Sequence, residues 1–203
     1  MNLNNKESGS LDINQLISQL QDSADPVLWQ YFKNLNNRTI VINEGITESI
    51  IESAVLPLLE MDNDGTGEEI TILLSSHGGS TYHGLTLCDV IDRVKTPVKI
   101  VALSYIMSMG ALIMMAGYKN PNVTKVCYPF TVGLIHGGSQ LFEGTLSQAR
   151  DYWSFNEKYE EMIKQWILNH SSITEEEYTK MEKSEWYMTS DDLLKHGIVD
   201  TVL

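Results

Sequence analysis

Apolar positions along this chain alternate between two spacings. Short, nearly continuous runs of β-branched and aliphatic residues recur at 38–43, 69–75, 98–103, 123–126 and 131–135, and predict five strands. Between them the apolar residues step by three and four. Ile50, Ile51, Ala54, Val55 and Leu58 do so in a helix over 47–59, and Leu85, Cys88, Ile91 and Val94 in a second one after Ser80. Tyr152, Phe155, Tyr159, Met162 and Trp166 share a face of a long helix that reaches about Asn169 and is opened by a capping box, Thr145 with Gln148. A second box, Thr174 with Glu177, starts a short acidic helix, and a last helix from about Ser190 is closed by Gly197. Strands of unbroken apolar character separated by helices fit a mainly parallel sheet covered on both faces, an α/β fold.

The middle of the pattern, 98–117, reads as a strand, a break at Ser104 and Tyr105, and a buried helix from Ser108 that stops at Gly117. In a parallel sheet, sites lie at strand C-termini. Three of those ends carry Ser76-His77-Gly78-Gly79-Ser80, then Ser108, then His136-Gly137-Gly138. A serine at the first turn of a helix sits where unpaired N–H groups and the helix dipole favour negative charge. A neutral imidazole takes a hydroxyl proton near neutral pH and returns it to a leaving group. For Ser108 alone, helix capping explains the residue. With a glycine loop and a histidine on neighbouring strand ends, the combination points to acyl transfer. His77 and His83 flank the loop, and His170 and His196 sit near helix C-termini, where the dipole accounts for them.

Charge narrows the partners. The 203 residues carry a net charge of −13, which argues against a nucleic-acid surface built from clustered Lys and Arg. Cys88 and Cys127, the only cysteines, lie in apolar surroundings and read as buried thiols with no disulfide framework. No metal-ligand spacing is present and no cofactor is expected. Asp62-Asn63-Asp64-Gly65-Thr66-Gly67 opens like a calcium loop, but Leu73 stands where the closing glutamate belongs, so the segment is read as a turn. Residues 1–25 are expected to form a flexible arm, disordered over 1–10, with Leu16, Ile17 and Leu20 at helical spacing over 11–21 that fits either an arm or a short docking helix, and 26–203 to form a single domain. No basic start leads into an apolar core and no apolar run is long enough to span a bilayer, so a cytoplasmic protein with no membrane partner is expected, and the sequon at Asn169 carries no meaning.

These motifs resemble the proteolytic subunit family of the Clp protease, ClpP. The loop at 75–80 is similar to that family's Ser-Pro-Gly-Gly loop, Met107-Ser108-Met109-Gly110-Ala111 to its nucleophile motif, Ile135-His136 to its catalytic histidine, and Gly197-Ile198-Val199-Asp200 to its ending. The resemblance, from about Arg38 onward, implies a ClpP/crotonase-like fold with a helix-strand handle over roughly 137–159. It also implies Ser108 as nucleophile, His136 as base and acid, and oxyanion or substrate binding by Gly78, Gly79 and Met109. The family's triad aspartate is not an aspartate here; Glu185 is the expected acid and Glu182 the alternative. By the same resemblance the chain is an ATP-dependent serine endopeptidase acting on unfolded polypeptides fed by an AAA+ unfoldase of the ClpX, ClpA or ClpC type. Its assembly would be a homo-oligomer of stacked heptameric rings, a tetradecamer. The changed acid keeps a catalytically silent subunit of a mixed ring open, and the fold keeps open a crotonase-type acyl-CoA enzyme.

Overall fold

A computed structural model describes residues 26–139 and 141–203. The expectations for 1–25 lie outside the described residues. The chain starts with α1 (Pro26–Asn36) and β1 (Thr39–Ile42), then α2 (Leu56–Asn63), β2 (Ile70–Ser76), α3 (Thr81–Ile91), β3 (Val98–Met107), α4 (Met109–Met115), β4 (Val123–Cys127) and β5 (Val132–Ile135). It continues with α5 (Leu146–Asn169), α6 (Glu175–Met181), β6 (Trp186–Met188), α7 (Ser190–Lys195) and β7 (Thr201–Val202).

The sheet order is β1-β2-β3-β4-β7, all parallel, so the C-termini of these strands share one edge. β5 pairs in parallel with the far half of β3, and β6 pairs antiparallel with β5. The mainly parallel α/β architecture is the one that the apolar pattern predicts. Ile40, Ile72, Leu74, Ile100, Ala102 and Ile106 are fully buried in the sheet. α4 is buried along its whole length against α3 and the sheet, where Gly84 leaves room for the Met109 side chain.

Three expectations change. β3 does not break at Ser104 and Tyr105: it runs on to Met107, because pairing passes from β4, which ends opposite Ala102, to β5, which takes up Tyr105. The helix expected over 47–59 opens instead with a π turn at Ile51–Val55 and extends to Asn63. Pro57 has no N–H to return to Ser53, and the wider turn, in which the Leu56 N–H reaches the Ile51 carbonyl, accommodates it. Asp62 thus belongs to a helix end, where its carboxylate accepts the N–H groups of Lys95 and Thr96. Both expected capping boxes form, at Thr145 and at Thr174. Cys88 and Cys127 are buried free thiols. Among the described residues of 137–145 there is no strand, as the two glycines after His136 favour. No helix among the described residues is long and apolar enough to cross a membrane.

Candidate active site

The three strand ends that carry the glycine loop, Ser108 and His136 border one cleft of about 640 Å³. At the first of them, Ser76 Oγ donates to the Glu44 carbonyl (2.6 Å) and accepts the Gly78 N–H (3.1 Å), which folds the chain sharply after β2. Ile46 then holds the loop from below: its N–H reaches the Gly78 carbonyl (2.9 Å) and its carbonyl takes the Ser80 N–H (2.8 Å). The Gly79 N–H between these two bonds has no acceptor among the described residues. His77, at the place of the family's proline, packs its ring beside Gly45 and leaves these backbone bonds intact.

At the second strand end Ser108 has φ 53° and ψ −122°, a left-handed conformation that a non-glycine residue adopts only under constraint. The helix therefore begins at Met109 rather than at Ser108, and the serine side chain makes no capping bond. A serine on a sharp strand-to-helix turn, half-buried at a cleft and not engaged in capping, has the geometry of a nucleophile elbow. The Met109 N–H, at the start of α4, is likewise unanswered among the described residues. Gly78 lies against this turn so closely that a Cβ on it would stand 2.6 Å from Ser108 Cβ and 2.9 Å from the Met109 nitrogen. Two free N–H groups and one hydroxyl thus converge on the cleft, the arrangement that stabilises an oxyanion beside a nucleophile.

The third strand end supplies His136, half-buried in the same cleft. Among the described residues its ring has no hydrogen-bond or ion-pair partner, and neither Glu185 nor Glu182 lines the cleft. Both acids nonetheless lie on the chain beside it. In the β5–β6 ladder Ile135 pairs with Trp186, so Glu185 is the next residue across from His136. Its carboxylate accepts the Tyr187 hydroxyl (3.0 Å), a bond that raises the tyrosine's pKa. Glu182 approaches through its backbone: its carbonyl would stand 2.9 Å from a Cβ on Gly137.

α5 closes the cleft from the side, with Tyr152, Asn156, Tyr159 and Ile163 facing it. Tyr159 stacks on Tyr82 of α3 (5.0 Å), which ties α5 to the rim, and burial pushes its phenol pKa up. Asn156 is a residue that the sequence pattern passes over. It is 3% exposed, and its position one helical step from both Tyr152 and Tyr159 was the signal that a polar group sits on a buried face.

Comparison with known proteins agrees with this geometry. A family model described as Clp protease matches residues 24–203. Among curated proteins, the ATP-dependent Clp protease proteolytic subunit of Deinococcus radiodurans is 25% identical over 173 residues, which cover 85% of this chain and 83% of that one. The subunits of the same name from Borreliella afzelii and Borrelia garinii are each 26% identical over 176 residues, again 85% of this chain and 86% and 88% of theirs. With the match spanning all but the first residues, the chain belongs to the Clp protease family, as a divergent member.

Proposed function

We propose that this chain is the proteolytic subunit of an ATP-dependent Clp protease and works as a serine endopeptidase on unfolded polypeptides. The observation that carries the reading is Ser108 on its strained turn, between the free N–H groups of Gly79 and Met109 and in one cleft with His136. Ser108 Oγ attacks the scissile carbonyl while His136 takes its proton, and the oxyanion is held by the Gly79 and Met109 N–H groups. Collapse breaks the C–N bond, and His136 returns the proton to the leaving amine. A water, deprotonated by His136, then releases the acyl chain from Ser108. Glu185, across the ladder from His136, orients the imidazole in this scheme, with Glu182 as the alternative.

The subunit works inside an oligomer, as the proteolytic partner of an AAA+ unfoldase of the ClpX, ClpA or ClpC type, in the cytoplasm. Residues 26–203 are its protease domain and 1–25 its arm. Exposed apolar side chains of α5 support assembly: Leu146 and Trp153 on one flank and Phe155 and Met162 on the opposite one are suited to contact between subunits of stacked heptameric rings. A second reading, a silent subunit of a mixed ring, is favoured by one observation, the lack of a carboxylate partner for His136 among the described residues. The acyl-CoA reading gains nothing from the family match. Labelling with a fluorophosphonate separates the two that remain. The assembled wild type should gain one adduct on Ser108 per subunit and Ser108→Ala none; an unlabelled wild type overturns the peptidase reading in favour of the silent one.

A further inference from the structure

The amide of Asn156 sits in the wall of the cleft that holds Ser108 and His136, and its Nδ2 is closed off from solvent with no acceptor among the described residues. The same cleft is lined by Leu112 of α4 and by Ile163 and Ile167, about two and three turns further along α5. An amide N–H that gives up its hydration and receives nothing in exchange is rare in folded chains and disfavours the site until an acceptor arrives. Because the residue borders an open cleft, a ligand that opens the cover over Nδ2 can bring the acceptor.

We propose that Asn156 is a specificity-determining residue, whose amide donates a hydrogen bond to the side-chain carbonyl of a glutamine in the bound polypeptide. The inference rests on the serine-peptidase reading above and adds the side chain that this cleft selects. Glutamine combines the two features the wall asks for: an aliphatic stem to lie against Leu112 and Ile163, and a neutral carbonyl oxygen to meet Nδ2. Leucine fills the same volume and leaves the amide unanswered. Glutamate brings an acceptor but also a charge, and among the described residues the cleft lining contains no lysine or arginine while Glu160 adds a further carboxylate.

The test compares fluorogenic peptides that differ only in the residue preceding the scissile bond, glutamine, leucine or glutamate, with assembled wild type, Asn156→Leu and Asn156→Asp. Wild type should favour glutamine over both others in kcat/KM, and either variant should lower its glutamine-to-leucine ratio by about tenfold or more. Thermal denaturation checks the fold: Asn156→Leu should melt no lower than wild type, because leucine removes the orphaned donor, and if it does melt lower the Asn156→Asp ratio decides. A wild type that is active and phosphonate-labelled, with a ratio that the variants leave unchanged, overturns the inference alone. A wild type that neither cleaves nor labels overturns the peptidase reading and this inference with it.

Discussion

The Ser108 N–H donates to the Leu134 carbonyl (2.8 Å), so the nucleophile's turn is fastened to the strand that carries His136 two residues later. Nucleophile and base are thereby set by one backbone bond rather than by two independent loops. Gly78 completes the clamp from the other side, at φ 95° and with no space for a side chain. Gly78→Ala should therefore cost about 2 kcal/mol or more in chemical denaturation and slow phosphonate labelling of Ser108 at least about a hundredfold. Gly138→Ala is the control: its φ is also positive, but nothing lies within 4 Å of the new methyl, so its cost should stay near 1 kcal/mol.

The two glutamates near His136 make opposite forecasts. If the β5–β6 register brings the Glu185 carboxylate to the imidazole in the assembled enzyme, Glu185→Gln should lower kcat by about 10² or more and leave KM nearly unchanged, because the acid fixes tautomer and stabilises the imidazolium. Glu182→Gln should stay within about twofold, since that residue approaches His136's neighbour through its backbone carbonyl, which the substitution keeps. Steady-state peptide hydrolysis by both variants measures this, and a reversed order makes Glu182 the acid.

Much of this site is legible in the sequence because its parts are local. An apolar run that ends in Gly78-Gly79, in Ser108 or in His136 announces a strand end, and parallel pairing brings the three together. What the sequence does not reveal depends on distant partners. The length of β3 follows from β5 taking over the ladder at Tyr105, long after the apolar pattern stops at Leu103. The orphaned amide of Asn156 appears only when α5 is laid over the cleft, and the nearness of Glu185 to His136 only when the three residues of β6 are paired. The π turn before Pro57 reflects a missing N–H whose consequence for the preceding turn is not a matter of apolar spacing.

The far end of α5 is held by a histidine–carboxylate contact. His170 Nδ1 lies 2.8 Å from the Trp166 carbonyl and Nε2 3.0 Å from the Asp92 carboxylate, whose other oxygen takes the Gly117 N–H (2.6 Å). Burial alone would raise the pKa of Asp92, but the bonds from His170 and Gly117 outweigh it and hold the carboxyl below its usual value. A carboxylate with a lowered folded-state pKa adds stability that is present above its unfolded value, about pH 4, and is lost as pH falls through the folded one. Asp92→Asn should thus destabilise the chain by about 1–2 kcal/mol at pH 7 and flatten the acid limb of its stability curve, as read by urea denaturation at several pH values. An unchanged acid limb would show that the pair carries no linked proton.

Lys125 poses the reverse case. Its side chain is 1% exposed in β4, with Nζ 3.3 Å from the Gly197 carbonyl and over the Tyr118 ring. Burial lowers its pKa, against the opposing pull of Asp200 and Asp92. A base whose folded-state pKa is depressed binds fewer protons folded than unfolded, so its penalty is largest below the folded pKa and is relieved as pH rises toward the unfolded value of about 10.4. Lys125→Met keeps the aliphatic stem and removes the charge. Asp200 is exposed and keeps its bond to the Lys125 backbone N–H (2.7 Å), and Asp92 keeps its bonds to His170 and Gly117, so no unpaired buried anion is left behind. The variant should therefore be as stable as wild type or more so, by up to about 2 kcal/mol at pH 7, with the gain shrinking as pH rises toward 10. Urea denaturation across that range measures it, and a loss of stability at pH 7 would mean that the bond to Gly197 and the contact with Tyr118 outweigh the cost of burying the ammonium.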